Sequence, residues 1–555
     1  MCLHNLLTPI PALRDCLLIA GGILMIAVAP GLRAEARPNI VLIMADDMGY
    51  SDIGCYGGEI PTPNLDQLAA GGLRFTQFTN TARCSQTRAA LLTGLHPHQT
   101  GVGILAEDPN QTAPPDAGPG YIRYLNRNCV TLAEVLGCAG YHTYMAGKWH
   151  LGYHDREKWP RQRGFDRFYG IISGASSYFQ PRPPRGLTLD NEPVPPPEDP
   201  EYYTTDAFAD YAVEFIRDQE DDRPFFLYLA FNAPHWPLHA RDEDIAKFVG
   251  RYRMGWDRLR EERWAKQVQM GVVKREWGLS PRDDGARAWD ELTLSAQVQL
   301  DFRMAVYAAQ IHRMDWNIGR VIATLKERGV FENTLVFFLS DNGGCAEPYS
   351  DLGGGTFEAI NKPHAGGAGG PAHPEDGSSY GTGWANASNT PFRRYKARLN
   401  EGGIATPLIV SWPAGLKTAP GSLTGAPGYL ADIMATVLEV TGATYPSFFR
   451  GEPITPPAGH SLVPILVTGD RPTPEWFFWE HYGERAVRHG DWKALRAKSG
   501  DRWELYDLAR DRNELQDAAA THPDLLAAMT NQWEAWAAQS QVYPRTTNEG
   551  SPTPP

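Results

Sequence analysis

Hydrophobic residues in this chain form several unbroken runs, and polar, glycine-containing or helical stretches separate those runs. Runs without alternation are typical of strands buried on both faces, as in a parallel sheet covered by helices on each side. Five such runs predict five strands: "NIVLIMA" (39–45), "YHTYMA" (141–146), "FFLYLAF" (225–231), "TLVFFLS" (334–340) and "TPLIVSW" (406–412).

Helical patterns lie between these runs. In "TLAEVLGCAG" (131–140), Thr131 and Glu134 have the spacing of a capping box at a helix start. A longer helical pattern spans 297–329 and ends at a glycine, as helices often do. Strands that alternate with helices predict an α/β fold with a large, mixed and mostly parallel sheet, covered by helices on both faces.

The pattern changes after about residue 446. Segments 485–497 and 502–508 alternate like strands of an antiparallel hairpin, and a helical segment follows them. We therefore expect a catalytic domain over 37–445 and a smaller C-terminal α+β subdomain with an antiparallel sheet over 446–545. A disordered tail is expected at 546–555. The Gly- and Pro-rich segment 351–383 is typical of a lid, a binding loop or disorder, and we interpret it as part of the leaving-group pocket.

The first 36 residues have the layout of a secretory signal peptide. Arg14 precedes an apolar run over 16–30, and small residues near Ala34 and Ala36 follow it. The run is short for a transmembrane helix, although an uncleaved anchor is the alternative. The sequence therefore predicts an exported protein, periplasmic or secreted, without a stable membrane anchor.

Charge and cysteine content exclude several classes of protein. The 555 residues carry a formal net charge of -13, which argues against a nucleic-acid binder, and an anionic substrate would need a local positive site. Five of the seven cysteines lie after the predicted signal peptide, and no Cys-x-x-Cys pair occurs. This pattern argues against a structural zinc site and against a disulfide scaffold.

Acidic and amide side chains follow two of the predicted strands. Asp46 and Asp47 come after the first run, and Asp341 and Asn342 come after the fourth. Ligands in open α/β sheets bind beyond the carboxyl ends of the strands, and oxygen ligands suit Ca2+ or Mg2+. The alternative is that each aspartate only caps a turn. Their joint occurrence favours a site for one divalent cation.

Basic and nucleophilic residues occupy comparable positions. Lys148 and His150 follow the second run, and His235 follows the third. In "TARCSQTRAALLTG", a helix that began near Cys84 would place Arg88 one turn further on the same face. A helix start attracts anions and would lower the pKa of a thiol. Each residue alone has an ordinary structural explanation, but together they would form the positive pocket that an anionic ester needs.

At these residues the sequence resembles the sulfatase family, of the arylsulfatase type within the alkaline phosphatase superfamily. The resemblance extends over nearly the whole chain after the predicted signal peptide. It rests on an ordered set of motifs: "NIVLIMADDMGYSDIGCYGG", "CSQTRAALLTG", "GYHTYMAGKWHLG", "APHWPLHA", "DWNIGRVIATL" with "FFLSDNGG", "TPFRRYKARLNEGGIATPLIVSWPAG", and "RAVRHGDWKAL" with "WELYDL".

This resemblance implies an alkaline phosphatase-like fold, the hydrolysis of sulfate esters and a nucleophile made after translation. Cys84 would be oxidised to formylglycine by a formylglycine-generating enzyme, and its hydrated aldehyde would attack sulfur. The resemblance also implies that the oxygen of this residue binds Ca2+ together with four side chains, those of Asp46, Asp47, Asp341 and Asn342.

The resemblance assigns further roles around the nucleophile. Arg88 would stabilise the formylglycine hydrate. Lys148, His235 and Lys396 would contact the sulfate group. His150 would accept a proton as sulfate is released, and His235 with Lys396 would protonate the leaving alcohol.

Gln86 departs from the family signature, which has proline at this position. The departure implies that Cys84 is converted inefficiently or by another maturation route. Two other functions therefore stay open. One is hydrolysis of phosphonate monoesters or phosphodiesters, and the other is a non-catalytic pseudosulfatase that binds sulfated glycans. The sequence does not define the natural substrate.

Overall fold

The computed structural model describes residues 37–113, 115–347, 379–472, 476–497 and 502–543. The predicted signal peptide, the predicted tail and most of the glycine-rich segment 351–383 lie outside the described residues. Among the helices of the described ranges, none has the length and apolar character needed to cross a bilayer.

Eighteen strands and twelve α-helices make up the described regular structure. In chain order the strands are β1 (Asn39–Ala45), β2 (Leu73–Phe75), β3 (Phe78–Thr79), β4 (His142–Lys148), β5 (Arg167–Ile171), β6 (Leu187–Leu189), β7 (Glu192–Val194), β8 (Phe225–Ala230), β9 (Thr334–Ser340), β10 (Leu408–Ser411), β11 (Ser422–Thr424), β12 (Gly428–Tyr429), β13 (Phe448–Phe449), β14 (Glu452–Pro453), β15 (Phe477–His481), β16 (Glu484–His489), β17 (Trp492–Arg496) and β18 (Glu504–Asp507). The α-helices are α1 (Pro63–Gly71), α2 (Cys84–Thr93), α3 (Leu132–Cys138), α4 (Thr204–Arg217), α5 (Asp242–Ile245), α6 (Gly255–Gln269), α7 (Leu294–Glu327), α8 (Thr382–Ser388), α9 (Glu401–Ile404), α10 (Ala431–Thr441), α11 (Val463–Thr468) and α12 (Pro523–Gln539).

The main sheet has ten strands in the order β11-β2-β10-β9-β1-β8-β4-β5-β6-β7. Its five central strands, from β9 to β5, are parallel to one another, whereas β10 runs antiparallel to β9 and β6 runs antiparallel to β5. All five predicted strands are present, and the predicted mixed, mostly parallel sheet is confirmed.

Burial on both faces explains the unbroken apolar runs. In β1, Ile40, Leu42 and Met44 enter one hydrophobic core. Val41 and Ile43 enter the core on the opposite face. Since successive side chains of a strand point to opposite faces, every position of a doubly covered strand must be apolar.

The two predicted helices also form. Thr131 Oγ1 accepts the Glu134 N–H at 3.1 Å, and Glu134 Oε2 accepts the Thr131 N–H at 2.8 Å, so α3 begins with the predicted capping box. The long helix α7 spans Leu294–Glu327, and Gly329 follows it with φ of 69°. Only glycine adopts such a left-handed conformation readily, and this explains the helix end.

The C-terminal region contains a four-stranded antiparallel sheet in the order β15-β16-β17-β18. One face packs against α12, where Val487, Ala494 and Leu505 share a cluster with Met529 and Trp533. This arrangement confirms the predicted antiparallel sheet of the smaller subdomain.

Candidate active site

The parallel strands bring the predicted polar residues to one edge of the main sheet. Asp46 and Asp47 follow β1, and Asp341 follows β9. Lys148 is the last residue of β4, and the segment after β8 carries His235. Parallel strands end at the same edge, so residues that are far apart in the sequence meet there. All five side chains are buried.

Close contacts join the acidic residues to one another and to a lysine. The Asp47 N–H donates to Asp341 Oδ1 at 3.1 Å, and Asn342 Nδ2 donates to Asp47 Oδ1 at 2.6 Å. Lys148 Nζ lies 2.7 Å from Asp46 Oδ2. Asp47 itself has φ of 67°, a left-handed conformation that is strained for a residue other than glycine.

Three oxygens in this cluster fit a hard cation. Within the described ranges, Asp46 Oδ1, Asp47 Oδ2 and Asn342 Oδ1 are buried and have no hydrogen-bond partner. Burial and, next, the charge of Asp46 raise the pKa of Asp341 to about 7. A bound divalent cation would satisfy the unpaired oxygens and offset this crowding of negative charge. The donor set therefore fits the predicted Ca2+ site.

His235 also lies beside this cluster. Ligand atoms of Asp46, Asp47 and His235 lie within 4.8 Å of one another. His235 Nε2 is 3.5 Å from Asp47 Oδ2, and His235 Nδ1 is 2.6 Å from the Trp236 carbonyl oxygen. Calcium prefers oxygen to nitrogen ligands, so this geometry suits the predicted contact with a substrate better than a metal-ligand role.

Cys84 begins the helix α2, as the sequence predicted, and its side chain is buried with 3% exposure. The predicted fall in its thiol pKa is wrong. Burial raises the pKa of Cys84, although the charges of Lys148 and Lys396 act in the opposite direction. A helix start favours the thiolate, but burial removes water from it, and here this desolvation is the larger effect. Cys84 Sγ lies 3.5 Å from His150 Nδ1.

Arg88 lies one turn after Cys84 and is fully buried. Its guanidinium donates to the Lys148 carbonyl oxygen at 2.9 Å and to Asp341 Oδ2 at 2.8 Å. In the same turn, Thr87 Oγ1 donates to the Asp341 carbonyl oxygen at 2.7 Å. The helix is thus bonded to the ends of β4 and β9, and this fixes residue 84 beside the acidic cluster.

Lys396 also contacts the acidic cluster. Its Nζ lies 2.6 Å from Asp47 Oδ1. Burial is the largest single effect and favours the neutral amine, but Asp47 and the other acidic groups nearby together raise the pKa of Lys396 well above its ordinary value. Burial lowers the pKa of His235 to about 3, although Asp47 opposes this shift. The lysine is therefore protonated, and the histidine is neutral.

His150 is held in a left-handed conformation with φ of 55°. Its imidazole packs so closely on Gly174 that a Cβ there would lie 2.5 Å from His150 Cε1. Burial, with the charges of Lys148 and Arg88, lowers the pKa of His150 well below its ordinary value. A neutral imidazole beside residue 84 can accept a proton.

Gln86 is buried in the first turn of α2. Gln86 Oε1 lies 3.1 Å from Ser85 Oγ, and Gln86 Nε2 lies 3.5 Å from the Gly103 carbonyl oxygen. Its side chain is thus directed toward the segment that follows α2.

Two tyrosines that no sequence motif marks support the site. The Tyr178 hydroxyl contacts the carbonyl oxygens of Asn232 and His235, at 2.5 and 2.8 Å. The Tyr307 hydroxyl contacts the Asp47 carbonyl oxygen at 3.1 Å. Both lie far in sequence from the residues they hold, Tyr178 in a loop and Tyr307 in α7, so no local pattern marks them.

A family model described as Sulfatase matches residues 38–443 of this chain. An uncharacterized sulfatase of Schizosaccharomyces pombe is 36% identical over 545 residues, covering 92% of this chain and 95% of the relative. An arylsulfatase of Klebsiella aerogenes is 35% identical over 440 residues, covering 78% and 92%. The crystal structure of Ps i-CgsB in complex with k-i-k-neocarrahexaose is similar at a TM-score of 0.65 and 25% identity, covering 90% and 93%.

Proposed function

The chain belongs to the sulfatase family and is a sulfuric ester hydrolase, and on this premise we propose that it cleaves sulfate esters with a formylglycine formed from Cys84 beside a bound Ca2+. Sulfatases generally use both groups. One observation carries the proposal: Cys84, at the start of α2, shares a buried site with the acidic cluster and with His150. A buried nucleophile next to a cation site and a base suits attack on an anionic ester.

Four side chains would hold Ca2+ together with the oxygen of the modified residue 84: Asp46, Asp47, Asp341 and Asn342. The unpaired oxygens of three of these residues support the assignment. When bound, the cation would neutralise charge on the sulfate oxygens. The chain keeps these ligands in place through β1, β9 and Arg88, so little reorganisation would be needed on binding.

The modified residue 84 would supply an oxygen nucleophile that the thiol of Cys84 lacks. Arg88 fixes the position of residue 84 through its bonds to Lys148 and Asp341. We assign His150 as the proton acceptor on the nucleophile side, because its Nδ1 faces residue 84 and burial keeps the imidazole unprotonated. Lys148 would contact the sulfate oxygens.

On the leaving-group side, Lys396 and His235 flank Asp47. Lys396 carries a proton in the free site and can donate it to the departing oxygen. His235 is neutral there, and its Nδ1–H donates to the Trp236 carbonyl oxygen, so Nε2 accepts a proton first and can then donate to a substrate oxygen. We propose that both contact the sulfate group.

The two alternatives receive less support. Both relatives named above are described as sulfatases, and no phosphonate chemistry is attached to either of them. A pseudosulfatase would not need a protonated Lys396 and a neutral His150 around Cys84, and this chain has both. The likeness to Ps i-CgsB, solved with a neocarrahexaose, supports sulfated glycans beside small aryl sulfates as candidate substrates.

The reaction class is tested by kcat/KM on matched aryl esters. We expect p-nitrophenyl sulfate to be hydrolysed about 10²-fold faster or more than p-nitrophenyl phenylphosphonate and bis-p-nitrophenyl phosphate, because buried polar groups arranged for one anion leave others poorly paired. The measurement compares the three esters with one enzyme preparation. Equal or higher kcat/KM on either phosphorus ester would contradict the sulfatase assignment.

We also propose that the protein is exported and meets a formylglycine-generating enzyme during maturation. The apolar run over 16–30 and the small residues near Ala34 and Ala36 support export. The mature protein is then expected to begin near Glu35 or Arg37. N-terminal sequencing of protein recovered outside the cytoplasm tests this, and a chain that still begins at Met1 would contradict it.

A further inference from the structure

We propose that Glu484, in the C-terminal antiparallel sheet, is a positioning residue for Lys396. The inference rests on the proposed function, because Lys396 acts on a substrate only within that reaction. It assigns the C-terminal subdomain a part in catalysis without placing any of its atoms on the substrate.

The segment around Lys396 has a strained backbone. Arg394 and Ala397 have φ of 68° and 67°, although neither is glycine. Such conformations persist only where the surroundings hold them. Two hydrogen bonds fix the segment against the catalytic domain: the Lys396 N–H donates to the Gly344 carbonyl oxygen at 3.1 Å, and the Ala397 N–H donates to the Ala82 carbonyl oxygen at 2.9 Å.

Glu484 holds the next two residues. Arg398 Nη1 donates to Glu484 Oε1 at 2.7 Å, and the Leu399 N–H donates to Glu484 Oε2 at 3.0 Å. The Glu484 side chain is only 7% exposed. Charge-assisted bonds of this kind are stronger than neutral ones, particularly away from water. Leu399 also packs in a cluster with Trp479 and Ala486 of the same sheet. The lysine segment is therefore docked on the C-terminal sheet.

A second contact anchors the end of this segment independently. Glu514 Oε2 accepts Asn400 Nδ2 at 2.8 Å and the Glu401 N–H at 3.1 Å. Lys493 Nζ bridges Glu514 at 2.7 Å and Glu401 at 3.1 Å. These bonds remain when Glu484 is removed, so the subdomain should stay docked while residues 396–399 lose one of their restraints.

A displaced Lys396 should slow the departure of the leaving group. A displacement of about 1 Å in a catalytic group can lower the rate by about 10²-fold. Lys396 would protonate the departing oxygen, and esters of weakly acidic alcohols need this proton more than esters of p-nitrophenol do. Loss of Glu484 should therefore lower kcat most for poor leaving groups. A general loss of folded protein would lower kcat equally for all of them.

The experiment compares Glu484→Ala and Glu484→Gln with the wild type on a series of aryl sulfates with leaving phenols of increasing pKa. For Glu484→Ala we expect kcat to fall about 3-fold on p-nitrophenyl sulfate and about 30-fold or more on the poorest leaving group, with KM changed by less than about 2-fold. Glu484→Gln keeps one acceptor oxygen for the two donors, Arg398 and the Leu399 N–H, so its rate should lie between those of Glu484→Ala and the wild type. Hydrogen exchange should become faster in residues 396–399 and stay unchanged at Glu401, whose N–H is held by Glu514.

Glu534→Gln is the matched control. Glu534 Oε1 pairs with Arg485 Nη1 at 2.8 Å, and Arg485 is the residue next to Glu484 in β16. This variant weakens an ion pair in the same subdomain without touching the lysine segment, so its leaving-group dependence should equal that of the wild type. An unchanged dependence in Glu484→Ala, or an equal change in Glu534→Gln, overturns the inference. If Lys396→Ala itself keeps the wild-type dependence, the proposed role of Lys396 is wrong, and the inference falls with it.

Discussion

Replacing Cys84 with alanine should lower kcat for p-nitrophenyl sulfate by about 10⁴-fold or more, the order of loss seen when a covalent nucleophile is removed. The remaining side chains can still bind sulfate, because Lys148 and Lys396 do not depend on residue 84 for their contacts with Asp46 and Asp47. Because the oxygen of residue 84 is also a proposed Ca2+ ligand, the comparison is made at saturating calcium, where the change should appear in kcat and not in sulfate affinity. The binding constant of sulfate, measured by calorimetry, reports the affinity separately from kcat.

The same experiment must show whether activity depends on the formylglycine or on the unmodified Cys84. Peptide mass spectrometry gives the fraction of Cys84 that carries the aldehyde, and activity across wild-type preparations should scale with that fraction. Gln86→Pro, which restores the proline of the family signature, is the control for maturation. The Gln86 side chain contacts Ser85 and Gly103, so its replacement should not alter the reaction at residue 84. It should raise the converted fraction or leave it unchanged, without altering turnover per converted site. Wild-type activity with only unmodified cysteine would falsify this mechanism, and neither aldehyde nor activity in the native host would favour the pseudosulfatase alternative.

Strands buried on both faces could be predicted from the sequence, and strands at the sheet edges could not. The run at 39–45 is apolar throughout because both faces of β1 are covered. By contrast, β7 (Glu192–Val194) is three residues long and mostly exposed, so it carries no apolar signal. The antiparallel direction of β10 also has no local signal, because direction is set by the long connection that precedes the strand.

The candidate site was predictable where motifs carry the chemistry and unpredictable where distant residues meet. Asp46 and His235 follow strands and Lys148 ends one, and each of these strand ends could be located from the sequence. The pKa of Cys84 is raised because other elements of the fold bury its thiol, and no local sequence pattern predicts that burial. Glu484 lies in an alternating strand, where a charged residue is usually solvent-exposed, and only the structure shows that it is buried against the lysine segment.

Replacing Asp341 with alanine should remove most of the bound calcium. Mutation of a residue that only hydrogen-bonds to a metal ligand lowers metal affinity by about 10- to 100-fold. Removal of a ligand carboxylate should therefore lower the calcium affinity by at least about 100-fold. The change also deprives Arg88 of its partner at 2.8 Å and leaves a buried charge poorly compensated, which costs about 3–5 kcal/mol in typical proteins. Metal content by elemental analysis after dialysis is the primary measurement, and the free energy of unfolding in denaturant is the second.

Asp315→Ala controls for the loss of a buried aspartate. Asp315 accepts the N–H groups of Asn64 and Leu65 at the start of α1, at 3.1 and 2.8 Å, and it is as buried as Asp341. Removing this cap should lower stability without lowering calcium content, because α1 contributes no ligand to the cluster. Both variants are thus expected to be less stable, and only Asp341→Ala to lose metal. Full calcium occupancy in Asp341→Ala, or equal loss in both variants, would show that the carboxylate beside Arg88 does not bind the cation.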